Sequence, residues 1–310
     1  MNLLKKVWGL SYFNCMSKIS LIAAAKDGLL VLNGVARELL TVENLLAADD
    51  RGETALHWAA IRGYLDKLPR EAMTPECLAV KDSAGLTPLH WGAYAGHLGQ
   101  LQPSSLTPEL MLVWDSFGRT PLHMAAEHGN LYMVPKHLVT AATLTAVNKG
   151  GKTPIHLAAK QGYLNHVPAE LLTEGHLLIG DLYGLTALHF AAEVGILDQL
   201  PENLLTAKNM LVEDKHGSTP LHFAAKFGHL DQVPRSVLTV ENLLANGRLS
   251  LSPLDVAVKG GYAGQVPMGL EFPAFVKGIV GDVWWARNQG VLADKAMLDE
   301  SAGSTEVELF

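Results

Sequence analysis

The sequence predicts an all-α solenoid, in which a helix-turn-helix unit of 33 residues is repeated in register, curved, and capped at both ends. Three observations predict it. The stretch Thr219-Pro220-Leu221-His222-Phe223-Ala224-Ala225-Lys226-Phe227-Gly228 recurs along most of the chain. Its histidine falls at His57, His90, His123, His156, His189 and His222, each 33 residues beyond the last, and one more step lands on Asp255. The stretch also specifies both ends of a short helix. Thr219 is an N-cap, Pro220 occupies the first helical position, where no N–H is needed, and Gly228 can take the left-handed conformation that stops the helix. Leu221, Ala224 and Ala225 give it one apolar, small-residue face. A helix of ~10 residues is marginal alone, so each copy needs a neighbour on either side.

Composition narrows the class further. Of 310 residues 48% are apolar, enough for a large interior. A net charge of −7 opposes nucleic-acid binding, which needs a basic face. Cys15 and Cys77 are too few for a disulfide framework, which fits a reducing, cytoplasmic setting. No apolar run approaches ~18 residues, so no integral membrane helix is expected.

Taken in order, residues 1–15 read as a flexible leader. Leu3, Leu4, Val7 and Leu10 would share one helical face, so a peripheral membrane adaptor is the alternative use of that segment. Residues 16–48 read as an N-terminal capping repeat: Ala23-Ala24-Ala25-Lys26-Asp27-Gly28 resembles the helix end, without the Thr-Pro-Leu-His start. Six repeats fill 49–246, with helix starts at Thr54, Thr87, Thr120, Thr153, Thr186 and Thr219. Each start follows an Asp or Asn with Gly three residues on, as in Asp115-Ser116-Phe117-Gly118, which is turn chemistry.

A proline recurs in the second half of the unit, at Pro69, Pro135, Pro168, Pro201, Pro234 and Pro267, with Pro103 one place out of register. Inside a helix it would cost ~3 kcal/mol, so the second helix is expected to split. Recurrent threonines (Thr41, Thr74, Thr107, Thr140, Thr173, Thr206, Thr239) then cap a second short helix such as 240–244. Leu65, Leu98, Leu131, Leu164, Leu197 and Leu230 are expected to form a buried column. Residues 247–270 read as a degenerate seventh repeat, 271–298 as a C-terminal capping helix, and 299–310 as an acidic flexible tail whose Glu308-Leu309-Phe310 suits a peptide ligand.

The pattern Asp214-x-x-Gly217-x-Thr219-Pro220-Leu221-His222-x-Ala224-Ala225-x-x-Gly228-His229 resembles the first half of an ankyrin repeat, and the 33-residue step is that family's step. The resemblance covers roughly residues 49–262; the recurrent proline departs from it. It implies that the turns project as a row of fingers and that each repeated histidine bonds its capping threonine and neighbouring backbone. It also implies that turn tips and first-helix ends line a concave face that grips a partner protein. Carried onto this chain, the partner-binding residues are Arg51, Arg62, Tyr94, Phe117, Arg119, His128, Lys149, Lys152, Tyr183, Glu193, His216 and Phe227.

Catalytic and metal readings fail on the residues. Stacked helices lie ~10 Å apart, whereas zinc needs nitrogens ~2 Å from one ion, so histidines of successive repeats cannot converge. No Gly-x-Ser-x-Gly occurs, neither cysteine sits in a nucleophile motif, and Lys149-Gly150-Gly151-Lys152 lacks the strand and helix of a phosphate loop. The reading is therefore a non-catalytic scaffold, expected to be monomeric and to need no cofactor. An enzyme site confined to the terminal segments is the remaining alternative class.

Overall fold

A computed structural model describes residues 19–28, 37–101, 105–247 and 251–270, together with 272, 276 and 278. The leader 1–15, part of each predicted cap and the tail 299–310 lie outside the described residues, as do Cys15 and Pro103. Among the described residues every regular element is helical. The first helices are Ile19–Lys26, Ala55–Arg62, Pro88–Ala95, Pro121–Glu127, Pro154–Gln161, Ala187–Val194, Pro220–Phe227 and Pro253–Lys259, and each packs against the next. The fold is the all-α solenoid expected from the 33-residue period.

The local reasons are those the sequence carries. Each capping threonine has extended backbone, and proline or alanine opens the helix behind it. Gly63, Gly96, Gly162, Gly195 and Gly228 close their helices at φ between 76° and 85°. The paired alanines, such as Ala158 and Ala159, are completely buried and let adjacent helices approach closely. The leucine column is buried from Leu65 to Leu230. Phe272 and Val276, in the stretch assigned to a C-terminal cap, are also buried.

The second half is broken where the prolines predict, but into three pieces rather than two. A 3-10 turn comes first, as at Leu164–His166. Pro69, Pro135, Pro168 and Pro201, at φ of −53° to −56°, then open a further 3-10 turn that the sequence reading did not include. A fixed proline φ and a missing N–H suit the entry to such a turn. The third piece is the Thr-capped helix of four or five residues, as at Glu174–Leu177 and Val240–Leu243. At Thr107 the expected α-helix is instead the 3-10 turn Leu110–Leu112. The short helices are tied down by a side chain reaching back five residues. Asn44, Asn209 and Asn242 donate to the carbonyls of Leu39, Leu204 and Val237 at 2.7–3.0 Å, and the Thr143 hydroxyl donates to Leu138 at 2.8 Å.

Repeats are joined by main chain as well as by packing. The N–H groups of Ser83, Ser116, Lys149, Leu182 and Lys215 donate to carbonyls of the preceding turn at 2.8–3.2 Å, making a ladder along the row of turns. Glutamines clamp the opposite end. Gln199, Gln232 and Gln265 each donate to the carbonyl of the preceding repeat's helix-ending glycine and accept a backbone N–H from that repeat.

This nesting separates two kinds of glycine. Gly151 and Gly162 both have positive φ, at 71° and 85°. A Cβ on Gly162 would meet nothing nearer than 3.9 Å, whereas one on Gly151 would lie 2.7 Å from the backbone nitrogen of Leu182 in the next turn. Gly162→Ala is expected to cost about 1 kcal/mol, for the left-handed conformation alone. Gly151→Ala is expected to cost a further ~1–3 kcal/mol, because backbone cannot rotate out of the way. Urea midpoints of the two variants check this; equal midpoints would refute the interlocked ladder.

Candidate binding surface

Each turn is built by one side chain. Oδ1 of Asp49, Asp82, Asp115, Asn148, Asp181 and Asp214 accepts the N–H groups two and four residues on, at 2.7–3.0 Å. The carbonyl of the fourth residue accepts the N–H of the Asp or Asn itself. Residues at the tip are left pointing outward.

The histidine fixes each turn to the helix before it. Its Nδ1 accepts the backbone N–H of its own capping threonine at 3.0–3.3 Å and lies 2.8–2.9 Å from that hydroxyl. A backbone N–H only donates, so Nδ1 is unprotonated and Nε2 carries the hydrogen. Nε2 donates to a carbonyl 29 residues on, in the next repeat's turn: Leu86, Arg119, Lys152, Leu185, Ser218 and Leu251, at 2.9–3.1 Å. Both ring nitrogens are thus committed to the scaffold. Burial disfavours the charged ring and lowers the pKa of all six, to about 4 for His90, His123 and His189, although the bond to the carbonyl partly offsets it. Among the described residues no group of His, Cys, Asp and Glu is arranged to hold a metal ion.

The structure gathers several of the sequence-predicted binding residues. Phe117 is 62% exposed at its turn tip, with the Arg119 guanidinium 5.2 Å from its ring centroid. Arg119 is half-buried, pairs with Asp115 at 2.9 Å and lies 3.7 Å from Glu127. Lys149 and Lys152 join Phe117 and Arg119 around one shallow depression. Lys152 pairs with Asp181 and lies 5.0 Å from the Phe190 ring centroid. Burial of Asp181 works against its charge, but Lys152 and the turn N–H groups outweigh it, so its carboxyl titrates below the ordinary value. Tyr94 and His128, from adjacent first helices, meet edge to face at 4.4 Å. Tyr183, 61% exposed, and His216 line one groove.

The remaining four do not join a cluster of the predicted residues. Arg51 and Arg62 are exposed and Glu193 is half-buried. Phe227 is half-buried against Phe223, with ring centroids 6.3 Å apart, and sits beside Lys226. Sequence reasoning also missed a column. Trp58, Trp91, Met124, Leu157, Phe190, Phe223 and Val256, each directly after a capping-box His or Asp, floor the face between turns and helix ends. They recur at the 33-residue step, though not as one residue type. Lys259, exposed and one step beyond Lys226, was missed as well.

Comparison with known families agrees with this geometry. The family described as "Ankyrin repeats (3 copies)" matches residues 105–176, and that described as "Ankyrin repeat" matches residues 216–248. No curated protein matches the chain significantly. Among the described residues no helix is long and apolar enough to cross a membrane.

The buried histidines set a pH dependence. Their folded-state pKa values lie below the ordinary 6.5, so the unfolded chain takes up protons that the folded chain refuses. Their contribution is complete above about pH 6.5 and is lost as the pH falls toward 4. Each of His90, His123 and His189 is expected to remove up to about 1.4 kcal/mol per pH unit in that window. Urea unfolding between pH 7.5 and 4.5 measures it. A flat midpoint would contradict the neutral Nε2–H assignment, and His123→Gln is expected to flatten the slope by up to one proton.

Proposed function

Because the chain is an ankyrin-repeat protein, we propose that it acts as a non-catalytic scaffold, gripping a partner protein with the concave face formed by turn tips and first-helix ends. Proteins of this family are typically interaction modules without catalysis. The observation that carries the reading is the set of exposed anchors on positions the scaffold does not use. Phe117 and Tyr183 are each more than 60% exposed, on turns whose backbone N–H groups are all hydrogen-bonded. Aromatic and arginine side chains are the usual energetic centres of protein interfaces. A prefixed surface loses little conformational entropy on association. The binding residues proposed are those named from the sequence, centred on Phe117, Arg119, Lys149 and Lys152, on Tyr94 with His128, and on Tyr183 with His216. A cytoplasmic monomer fits this reading, since Cys77 is a buried free thiol.

The Phe117→Ala/Tyr183→Ala double variant is expected to weaken capture of the partner from native lysate about tenfold or more. Its unfolding free energy from urea titration should change by no more than ~0.5 kcal/mol, because neither side chain is buried. Undiminished capture of the same partner would remove this face from the binding reaction.

A further inference from the structure

An open groove of about 690 Å³ lies on this face between the turn of Tyr183 and the helix Pro253–Lys259. Its floor is apolar, with Phe223 and Val256 half-buried. Its rim carries Lys226 and Lys259, both exposed, and neither has an anionic partner among the described residues. Lys215, exposed at the adjacent turn tip, adds a third such cation. The lining carboxylate, Asp214, spends Oδ1 on the N–H groups of His216 and Ser218. An apolar trough edged by uncompensated lysines, on a chain of net charge −7, calls for an acidic segment with apolar residues interleaved.

This chain contains one. Residues 299–310 hold Asp299, Glu300, Glu306 and Glu308, no lysine or arginine, and Val307, Leu309 and Phe310 among the last acids. In extended form, alternate side chains point to opposite sides, so Glu306 and Glu308 would share one edge and Val307 and Leu309 the other. Lys226 and Lys259 occupy equivalent positions on neighbouring helices, ~10 Å apart, and two carboxylates ~7 Å apart on long side chains span that gap. The tether suffices. From residue 278, the last described, to residue 299 the chain reaches up to ~70 Å, several times the spacing of the repeats around the groove. An attached segment has a local concentration in the millimolar range, so even weak pairing fills the site.

We propose that residues 299–310 occupy this groove, with Glu306 and Glu308 on Lys226 and Lys259 and the apolar residues on Phe223 and Val256. The protein then covers one end of its own binding face, and a partner must displace the segment. The proposal rests on the concave-face reading but fails separately. If the segment does not dock while partner capture still depends on Phe117 and Tyr183, only the self-covering is lost.

Zero-length carbodiimide cross-linking of the full chain, followed by peptide mass spectrometry, tests it directly. Cross-links from Glu306 or Glu308 to Lys226 or Lys259 are expected, independent of protein concentration, and lost in Glu306→Lys/Glu308→Lys. Their absence, while other carboxylate–lysine pairs cross-link, overturns the proposal. A second arm uses that full-length variant, whose own segment is disabled, with a fluorescein-labelled peptide of residues 299–310. Anisotropy should show binding that Lys226→Glu/Lys259→Glu weakens at least tenfold and that the unmodified chain shows far more weakly. Equal binding of a scrambled peptide of the same composition would mean that the groove takes any acidic segment, and would overturn the assignment to this one.

Discussion

One imidazole per repeat holds two repeats together. With Nδ1 turned to its own capping threonine and Nε2 to a carbonyl 29 residues on, each ring closes a helix start and ties down the next turn in the same stroke. The rings are buried, so their bonds have little competition from water, and a missing partner would leave a desolvated polar group. The neutral Nε2–H tautomer is dictated by the threonine N–H, and burial lowers the pKa in the same direction. The last copy shows the two jobs apart. Asp255 Oδ2 accepts the Ser252 N–H at 2.8 Å and its hydroxyl at 2.7 Å, reproducing the inward half of the motif. A carboxylate has no hydrogen to pass onward. The aspartate stands at the copy after which the 33-residue pattern of turn and capped helix stops.

The glycines carry the same logic into the backbone. Positive φ explains why they end helices and turns, but not why neighbouring repeats fit so tightly over them. The ring of His229 occupies the place where a Cβ on Gly195 would be, within 2.5 Å, and Tyr262 does the same over Gly228. At these joints one repeat plugs the helix end of the one before, a plug that Gly162 lacks. Helix faces pack at every joint, the turn ladder adds main-chain bonds at five of them, and glutamine clamps add a third level where Gln199, Gln232 and Gln265 stand. Stability in such a stack is a sum over neighbours, so each added bond across a joint contributes to the whole.

How much of this was legible in the sequence follows from what periodicity can and cannot carry. Capping threonines, helix-ending glycines, turn aspartates and the buried leucine column all recur at one step, and each has a single physical job, so they could be read directly. The break at the prolines was legible because a proline removes a donor wherever it stands. The extra 3-10 turn behind it was not, since three residues such as Ala169–Leu171 leave no period of their own. The apolar column from Trp58 to Val256 did repeat. It was missed because its members differ in size and chemistry, so the pattern is one of position rather than residue type. Pairings such as Tyr94 with His128 were beyond reach, because they depend on how two unlike side chains lean across a joint. Phe227 shows the converse: an aromatic in a surface register that turns back onto Phe223.

The turn carboxylates explain how a fixed scaffold orders a variable face. Their Oδ1 oxygens do the same work everywhere, but their Oδ2 oxygens do not. At Asp115 Oδ2 accepts from Arg119, whose guanidinium lies by the Phe117 ring. At Asp82 it accepts the Trp91 indole N–H at 3.2 Å. At Asp181 it takes the Lys152 ammonium, which lies by Phe190. In each case one oxygen builds the loop and the other anchors a long side chain of the outward surface. Arginine, lysine and tryptophan would otherwise lose ~0.5–1.5 kcal/mol each when immobilised by a partner. Held in advance by a group the fold needs in any case, they would meet the proposed partner already ordered. Substitutions at the variable positions can therefore remodel the outward surface without touching the oxygen that makes the turn. In the proposed binding, specificity and folding would share a residue but use different atoms of it.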